Sequence, residues 1–243
     1  MVVIFAAAAV CMVVERAFRA RTLPSSPGWW PRVVVLNVVQ FMVVVGLGTH
    51  FDGWFREQAL MPLPTMHPAA ATAIAYAAVT FVFYFWHRAR HESMLLWNVF
   101  HQVHHSPVRI ETVTSFYKHP LEILVNAAIV SGVVYGVLGC DADVGGRVTI
   151  VTAIAEMLYH MNVRTPHAWG YVFQRPEMHR IHHERGKHRS NYADLPIWDM
   201  IFGTYENPRD GDVACGFVPP REERLAEMLV GRNVNGPVRG GDR

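Results

Sequence analysis

The sequence predicts an all-α membrane protein of four to five transmembrane helices, including a hairpin, with a helical cap on one face. Three observations carry this. Of the 243 residues, 51% are hydrophobic and only 17% are charged, whereas a soluble domain has about 25% charged residues. Several uncharged runs approach the roughly 20 helical residues that a hydrocarbon core of about 30 Å requires. Finally, 12 of the 14 histidines lie at or after position 87, just past the ends of such runs.

The first run, MVVIFAAAAVCMVV, is shorter than a full crossing and lacks the positive start of a secretory signal. It reads as a first helix completed by snorkelling Glu15 and Arg16. VVVLNVVQFMVVVGLGTHF (33–51) is a second span, weakened by Asn37 and Gln40, and AAATAIAYAAVTFVFYFW (69–86) is a third that ends on His87. ILVNAAIVSGVVYGVLGC (123–140) is uncharged, and the turn DADVGG joins it to 144–160, where Arg147 and Glu156 interrupt the run. That last helix reads equally as a lipid-facing span or as an apolar helix inside the bundle, hence four to five.

Loop charge orients the helices, because short cytoplasmic loops carry the excess of Lys and Arg. Arg16, Arg19, Arg21 and Arg32 follow the first run against Glu15 alone, whereas residues 52–67 hold Arg56 against Asp52 and Glu57. The first loop is therefore expected in the cytoplasm. The 69–86 helix returns there, where Arg88, Arg90, Arg109 and Lys118 agree, and the hairpin leaves and comes back. All the clustered histidines then share the cytoplasmic face.

Those clusters carry the chemistry. HRARH gives His87 and His91, HQVHH gives His101, His104 and His105, LYHMN gives His160, and HRIHH gives His179, His182 and His183. Residues at i, i+3 and i+4 share one helix face, and neutral imidazole is the commonest metal ligand. Nine imidazoles are too many for one ion, so two metals are expected, each HxxHH supplying part of a dinuclear site. The bland competitor for His160 is a core histidine bonded to a carbonyl. Glu156, one turn before it, reads either as an acceptor orienting an imidazole or as a packing contact. His119, before Pro120 and Glu122, also reads as a helix start. His50, His67 and His188 read as surface residues.

Other classes are excluded. A net charge of +2 without a basic block argues against nucleic acid as a partner. Cys11, Cys140 and Cys215 form neither a disulfide framework nor a thiolate motif.

HRARH, HQVHHSP, KHPLE, LYHMN, HRIHHER and NYADLPIWDMIFGTY occur in the order seen in the fatty acid hydroxylase/sterol desaturase superfamily, which the chain resembles from about residue 70 to about residue 207. The resemblance implies two non-haem iron ions held by the nine histidines, O2 as co-substrate, and hydroxylation or desaturation of a lipid such as a sterol or fatty acyl chain. Imidazole sites bind zinc at least as readily, so zinc can substitute and iron rests on the resemblance. Many relatives have a further histidine where this chain has Arg164, which leaves His119, His167 or water on Asn162 to complete the shell. No nucleotide or haem motif is present, so electrons are expected from a separate cytochrome b5-like protein, ferredoxin or reductase. A membrane zinc hydrolase and a di-haem electron carrier are the competing classes.

The expected organisation is 1–68 as N-terminal transmembrane helices and loop, 69–207 as the catalytic domain, and 208–243 as a C-terminal amphipathic helix and polar tail. Residues 185–212 read as a cap over the metal centre, 220–232 as an amphipathic surface helix through Leu225, Met228 and Leu229, and the tail as frayed. The lipid is expected in an apolar cleft between the 69–86 helix and the 123–160 hairpin.

Overall fold

The computed structural model describes residues 1–60, 66–187 and 189–235. Among them the chain is helical, with two isolated bridges, Arg19 to Val163 and Glu184 to Cys215, and no strand. Helix α1 spans Val2–Ala17, α2 Trp29–Arg56 and α3 Pro68–Glu92. The start of α3 follows from its sequence: proline sits in the first turn, and Ala69 N–H donates to His67 Nδ1 at 3.3 Å. Ser93 is extended, so the chain breaks there before α4 (Met94–Leu96), a π-helical turn (Trp97–His101) and α5 (Gln102–His105).

Helix α6 (Pro120–Ser131) continues as a π-helical segment through Gly132–Val137. It packs on α2 closely enough that a Cβ at Gly136 would stand 2.9 Å from the Phe55 ring. Helix α7 (Ala142–His160) begins on Asp141, whose Oδ1 accepts from Val144 N–H at 2.9 Å, so the hairpin turn is shorter than DADVGG suggested. Helix α8 (Pro176–His182) precedes the 185–212 segment, which contains α9 (Pro196–Phe202), and α10 (Leu225–Leu229) follows near the C-terminus.

Among the described residues three helices, Trp29–Arg56, Pro68–Glu92 and Pro120–Val137, are long and apolar enough to cross a membrane. Helix α1 has 16 residues, and α7 contains Asp143, Arg147 and Glu156. Glu15 does not snorkel. It is buried and accepts from Thr112 N–H at 2.7 Å, Thr112 Oγ1 at 2.9 Å and Asn162 N–H at 2.9 Å, tying α1 to two segments beside the histidines.

The expected apolar cleft is filled at its hairpin-turn end, away from the histidines. Ala75 and Val79 of α3, Val134 after α6 and Val148 of α7 are buried against one another in a single core cluster. The amphipathic helix is also placed differently. Met228 is fully buried with Trp97 and Val103, and Leu225 and Leu229 pack on the same cluster, so the apolar face of α10 supports the histidine helix from below. The tail is anchored where it starts: Gln102 Nε2 donates to Arg232 O at 2.8 Å and Val234 is buried. The expectation for residues 236–243, like that for His188, lies outside the described residues.

Candidate metal centre

All nine predicted histidines converge, and they do so as two groups. His87, His91, His101, His105 and His182 form one, while His104, His160, His179 and His183 form the other, with the ligand atoms of each group within 4.8 Å of one another. Each HxxHH therefore divides. The i, i+4 pair His101 and His105 joins the first group and His104 the second, whereas the pair His179 and His183 joins the second group and His182 the first. The expectation of three imidazoles per motif facing one way is corrected to two and one.

Backbone carbonyls set the tautomers. His87 Nδ1 lies 2.7 Å from Tyr192 O, His160 Nδ1 2.7 Å from Glu156 O, His182 Nδ1 2.7 Å from Ser190 O and His104 Nδ1 3.3 Å from Tyr117 O. Neutral rings donating through Nδ1–H keep the Nε2 lone pair for a ligand. Both readings of His160 thus hold in one residue: it is bonded to a carbonyl and belongs to a group. Glu156 orients it through its backbone oxygen, while the Glu156 side chain accepts from Lys118 Nζ at 2.5 Å.

The Nε2 atoms meet at distances suited to a shared ion. His91 Nε2 stands 3.2 Å from His87 Nε2 and 3.1 Å from His101 Nε2. His179 Nε2 stands 3.0 Å from both His160 Nε2 and His183 Nε2. Two nitrogens bonded to one ion at about 2.0–2.1 Å, at octahedral to tetrahedral angles, lie roughly 2.9–3.4 Å apart. The donor set therefore fits a metal in each group.

Burial keeps the rings neutral. Desolvation first, then neighbouring imidazoles, pushes His104, His105 and His179 well below the usual histidine range. Seven of the nine are buried, and only His87 and His91 retain partial exposure.

Of the three proposed shell-completing residues, the two histidines are engaged elsewhere, and Asn162 keeps a buried Oδ1 without a hydrogen-bond partner. His119 caps α6, accepting from Leu121 N–H at 3.0 Å through Nδ1 and donating from Nε2 to Leu229 O at 3.1 Å. His167 Nε2 donates to Asn207 O at 3.1 Å, and Asn162 Nδ2 donates to Arg21 O at 2.7 Å. Neither His119 nor His167 belongs to either group.

Several functional residues escaped the sequence reading. Glu122 is fully buried, and its Oε1 accepts from Arg90 and lies 3.2 Å from His101 Nδ1, so a carboxylate backs one imidazole of the first group. Its place in KHPLE looked like helix-start chemistry; the signal was a charge beside an apolar span. Asp199 accepts from Tyr192 N–H at 2.8 Å, Ala193 N–H at 2.9 Å and Thr204 Oγ1 at 2.7 Å. It thereby fixes the loop whose Tyr192 carbonyl orients His87. Gln174 Nε2 stands 3.0 Å from His179 Nδ1 and donates to Asn191 O at 3.0 Å.

Comparison with known proteins finds lipid-modifying enzymes among the relatives. An ornithine lipid hydroxylase of Rhizobium tropici is 29% identical over 199 residues, covering 66% of this chain and 59% of its own. The human alkylglycerol monooxygenase is 31% identical over 140 residues, covering 54% of this chain and 30% of its own. A very-long-chain aldehyde decarbonylase of Oryza sativa subsp. japonica is 27% identical over 167 residues, covering 62% and 26%. The chain thus spans about three fifths of the first relative and under a third of the other two. No solved structure matches it. The fatty acid hydroxylase profile matches residues 72–204, more than half of the chain and a stretch that holds all nine histidines, and the chain belongs to the fatty acid hydroxylase family.

Proposed function

We propose that this chain is a membrane-bound di-iron oxidoreductase that hydroxylates a C–H bond of a lipid with O2. The observation that carries the reading is the division of nine imidazoles into two adjacent groups, four of them with Nδ1 against a backbone carbonyl. A zinc hydrolase rarely draws on more than three or four protein ligands for its ion, and a di-haem carrier would need isolated facing histidines.

Iron bound in the two groups would supply the redox chemistry that reduces O2 and opens a C–H bond. In balance, R–H, O2, two electrons and two protons give R–OH and water, with the electrons from a separate donor protein. The chain's own part is to hold and orient. His87, His91, His101, His105 and His182 would hold one ion and His104, His160, His179 and His183 the other. Glu122 and the carbonyls of Tyr117, Glu156, Ser190 and Tyr192 fix the rings, and burial of seven of the nine excludes bulk water.

The proposed placement is in the membrane with the metal centre on the cytoplasmic face, α1 adding a shorter crossing and α7 one interrupted by charged residues to the three apolar ones. The lipid hydroxylase and monooxygenase names among its relatives support hydroxylation of a lipid. The reading is tested by incubating iron-loaded protein with membrane lipid extract, a reductase system and 18O2. One 18O atom in a hydroxylated lipid is expected, with at most one turnover when the donor is omitted. Absence of labelled product under full conditions would contradict it.

A further inference from the structure

The only partly exposed histidines of the two groups are His87 and His91, so whatever reaches the centre passes near them. A cavity of about 630 Å3 opens there, with His91 in its wall. Arg88 and Glu92 come from the end of α3, and Arg189, Tyr192 and Thr204 from the cap. Among the described residues, no aliphatic side chain lines it. Pockets of this size take a small organic group, oriented by the polar atoms that line them.

The charges do not cancel. Arg88 Nε pairs with Glu92 Oε1 at 2.7 Å, which fixes the Arg88 guanidinium at the wall. Arg189 is exposed and makes no ion pair among the described residues. The mouth therefore carries one uncompensated positive charge beside a held guanidinium. An acyl chain placed here would strip water from these groups without replacing its hydrogen bonds. An anion would replace them with charge-assisted ones. At the hairpin-turn end, away from the histidines, the expected apolar cleft is filled by Ala75, Val79, Val134 and Val148.

We propose that this cavity holds the anionic headgroup of the lipid substrate, a phosphate or carboxylate seated on Arg189 and Arg88. The proposal rests on the lipid hydroxylase reading above and adds two things to it: the substrate is a charged lipid, not a sterol or neutral glyceride, and the oxidised C–H lies in the head or on the carbons next to it. The oxygen atom, electrons and protons are those of the balanced reaction already given.

The test uses the full iron-loaded chain in neutral maltoside detergent, with binding read by native mass spectrometry. The probes are dihexanoyl phosphatidylglycerol, dihexanoylglycerol with the same chains, and inorganic phosphate. The charged lipid is expected to bind at least about tenfold more tightly than the neutral one, a difference of about 1.4 kcal/mol. Arg189→Glu should remove that preference and Arg189→Lys should restore part of it, both at unchanged iron content. Should Arg189→Glu not accumulate, Arg189→Gln serves the same comparison.

Equal binding of the two lipids, or an unchanged preference in Arg189→Glu, overturns the proposal. So does inorganic phosphate binding as tightly as the charged lipid, which would mark a free-anion site. It is likewise overturned if Arg189→Glu spares lipid binding and a single turnover but loses donor-supported turnover, since the mouth would then dock an acidic electron-donor protein. Selective, Arg189-dependent binding with no hydroxylated product would sink the reaction and leave the cavity assignment standing. Equal hydroxylation of charged and neutral lipid would do the reverse.

Discussion

His105 and His183 lie nearly face to face, with ring centroids 4.1 Å apart and planes at 20°, although they belong to different groups. His105 comes from the first HxxHH and His183 from the second. Their contact makes the two groups neighbours, and the division of each motif follows from the same packing. A surface patch of histidines would not interlock in this way.

The interlock separates the effects of two substitutions. His104→Ala removes a member of the second group and His182→Ala a member of the first. Each is expected to lower iron content by about one ion per chain, and the double variant by about two, measured by plasma mass spectrometry. Activity should behave differently: each single variant abolishes product, and the double does no further harm, as for residues that act as a unit. Near-normal iron and turnover in either single variant would remove that residue from the centre.

Glu122 and Asp199 act on the first group from behind, through His101 and through the Tyr192 carbonyl on His87. Glu122→Gln and Asp199→Asn are each expected to weaken metal binding by about 10- to 100-fold. Titration of metal-free protein should show the loss in one of two binding steps. A uniform loss in both steps would indicate a general folding defect.

His119→Ala should leave the metal content intact, because both of its ring nitrogens serve the start of α6 and the Leu229 carbonyl. The expected cost is stability, about 1 kcal/mol for the lost cap, seen as a lower unfolding midpoint in detergent. Loss of iron at unchanged stability would return His119 to the ligand shell.

Acid should destabilise the metal-free protein. Burial lowers the folded pKa of His104, His105 and His179, while the unfolded rings titrate near pH 6.5. Below that pH the unfolded state binds more protons, so stability is fully present above about pH 6.5 and falls as pH drops, by up to about 1.4 kcal/mol per group per pH unit. Thermal unfolding of metal-free protein between about pH 7.5 and 5 reads the slope, and His105→Asn should reduce it. A midpoint independent of pH over that range would contradict the neutral, buried cluster.

Much of this was legible in the residues. Uncharged runs marked α2, α3 and α6, and the spacings HxxxH and HxxHH marked eight of the nine histidines that the fold brings together, His160 being marked by LYHMN. What the spacings did not reveal is the division between groups, because it depends on how α5 and α8 face each other and on the π-helical turn Trp97–His101, which packing decides. The role of Glu122 was hidden because its partners, Arg90 and His101, are 32 and 21 residues away. Glu15 misled for the same reason: charge at the end of an apolar run suggests a headgroup, and only the tertiary fold supplies Thr112 and Asn162. The filling of the cleft near the hairpin turn, where Ala75, Val79, Val134 and Val148 pack in one cluster, also needed side-chain volumes.

The most direct measurement is the metal content of purified protein, taken with its optical spectrum. Two irons per chain without haem absorption are expected, falling to about one in His182→Ala with the fold retained. A single zinc per chain, a haem spectrum, or two irons retained in His182→Ala would each contradict a dinuclear iron centre built from the two interlocked groups.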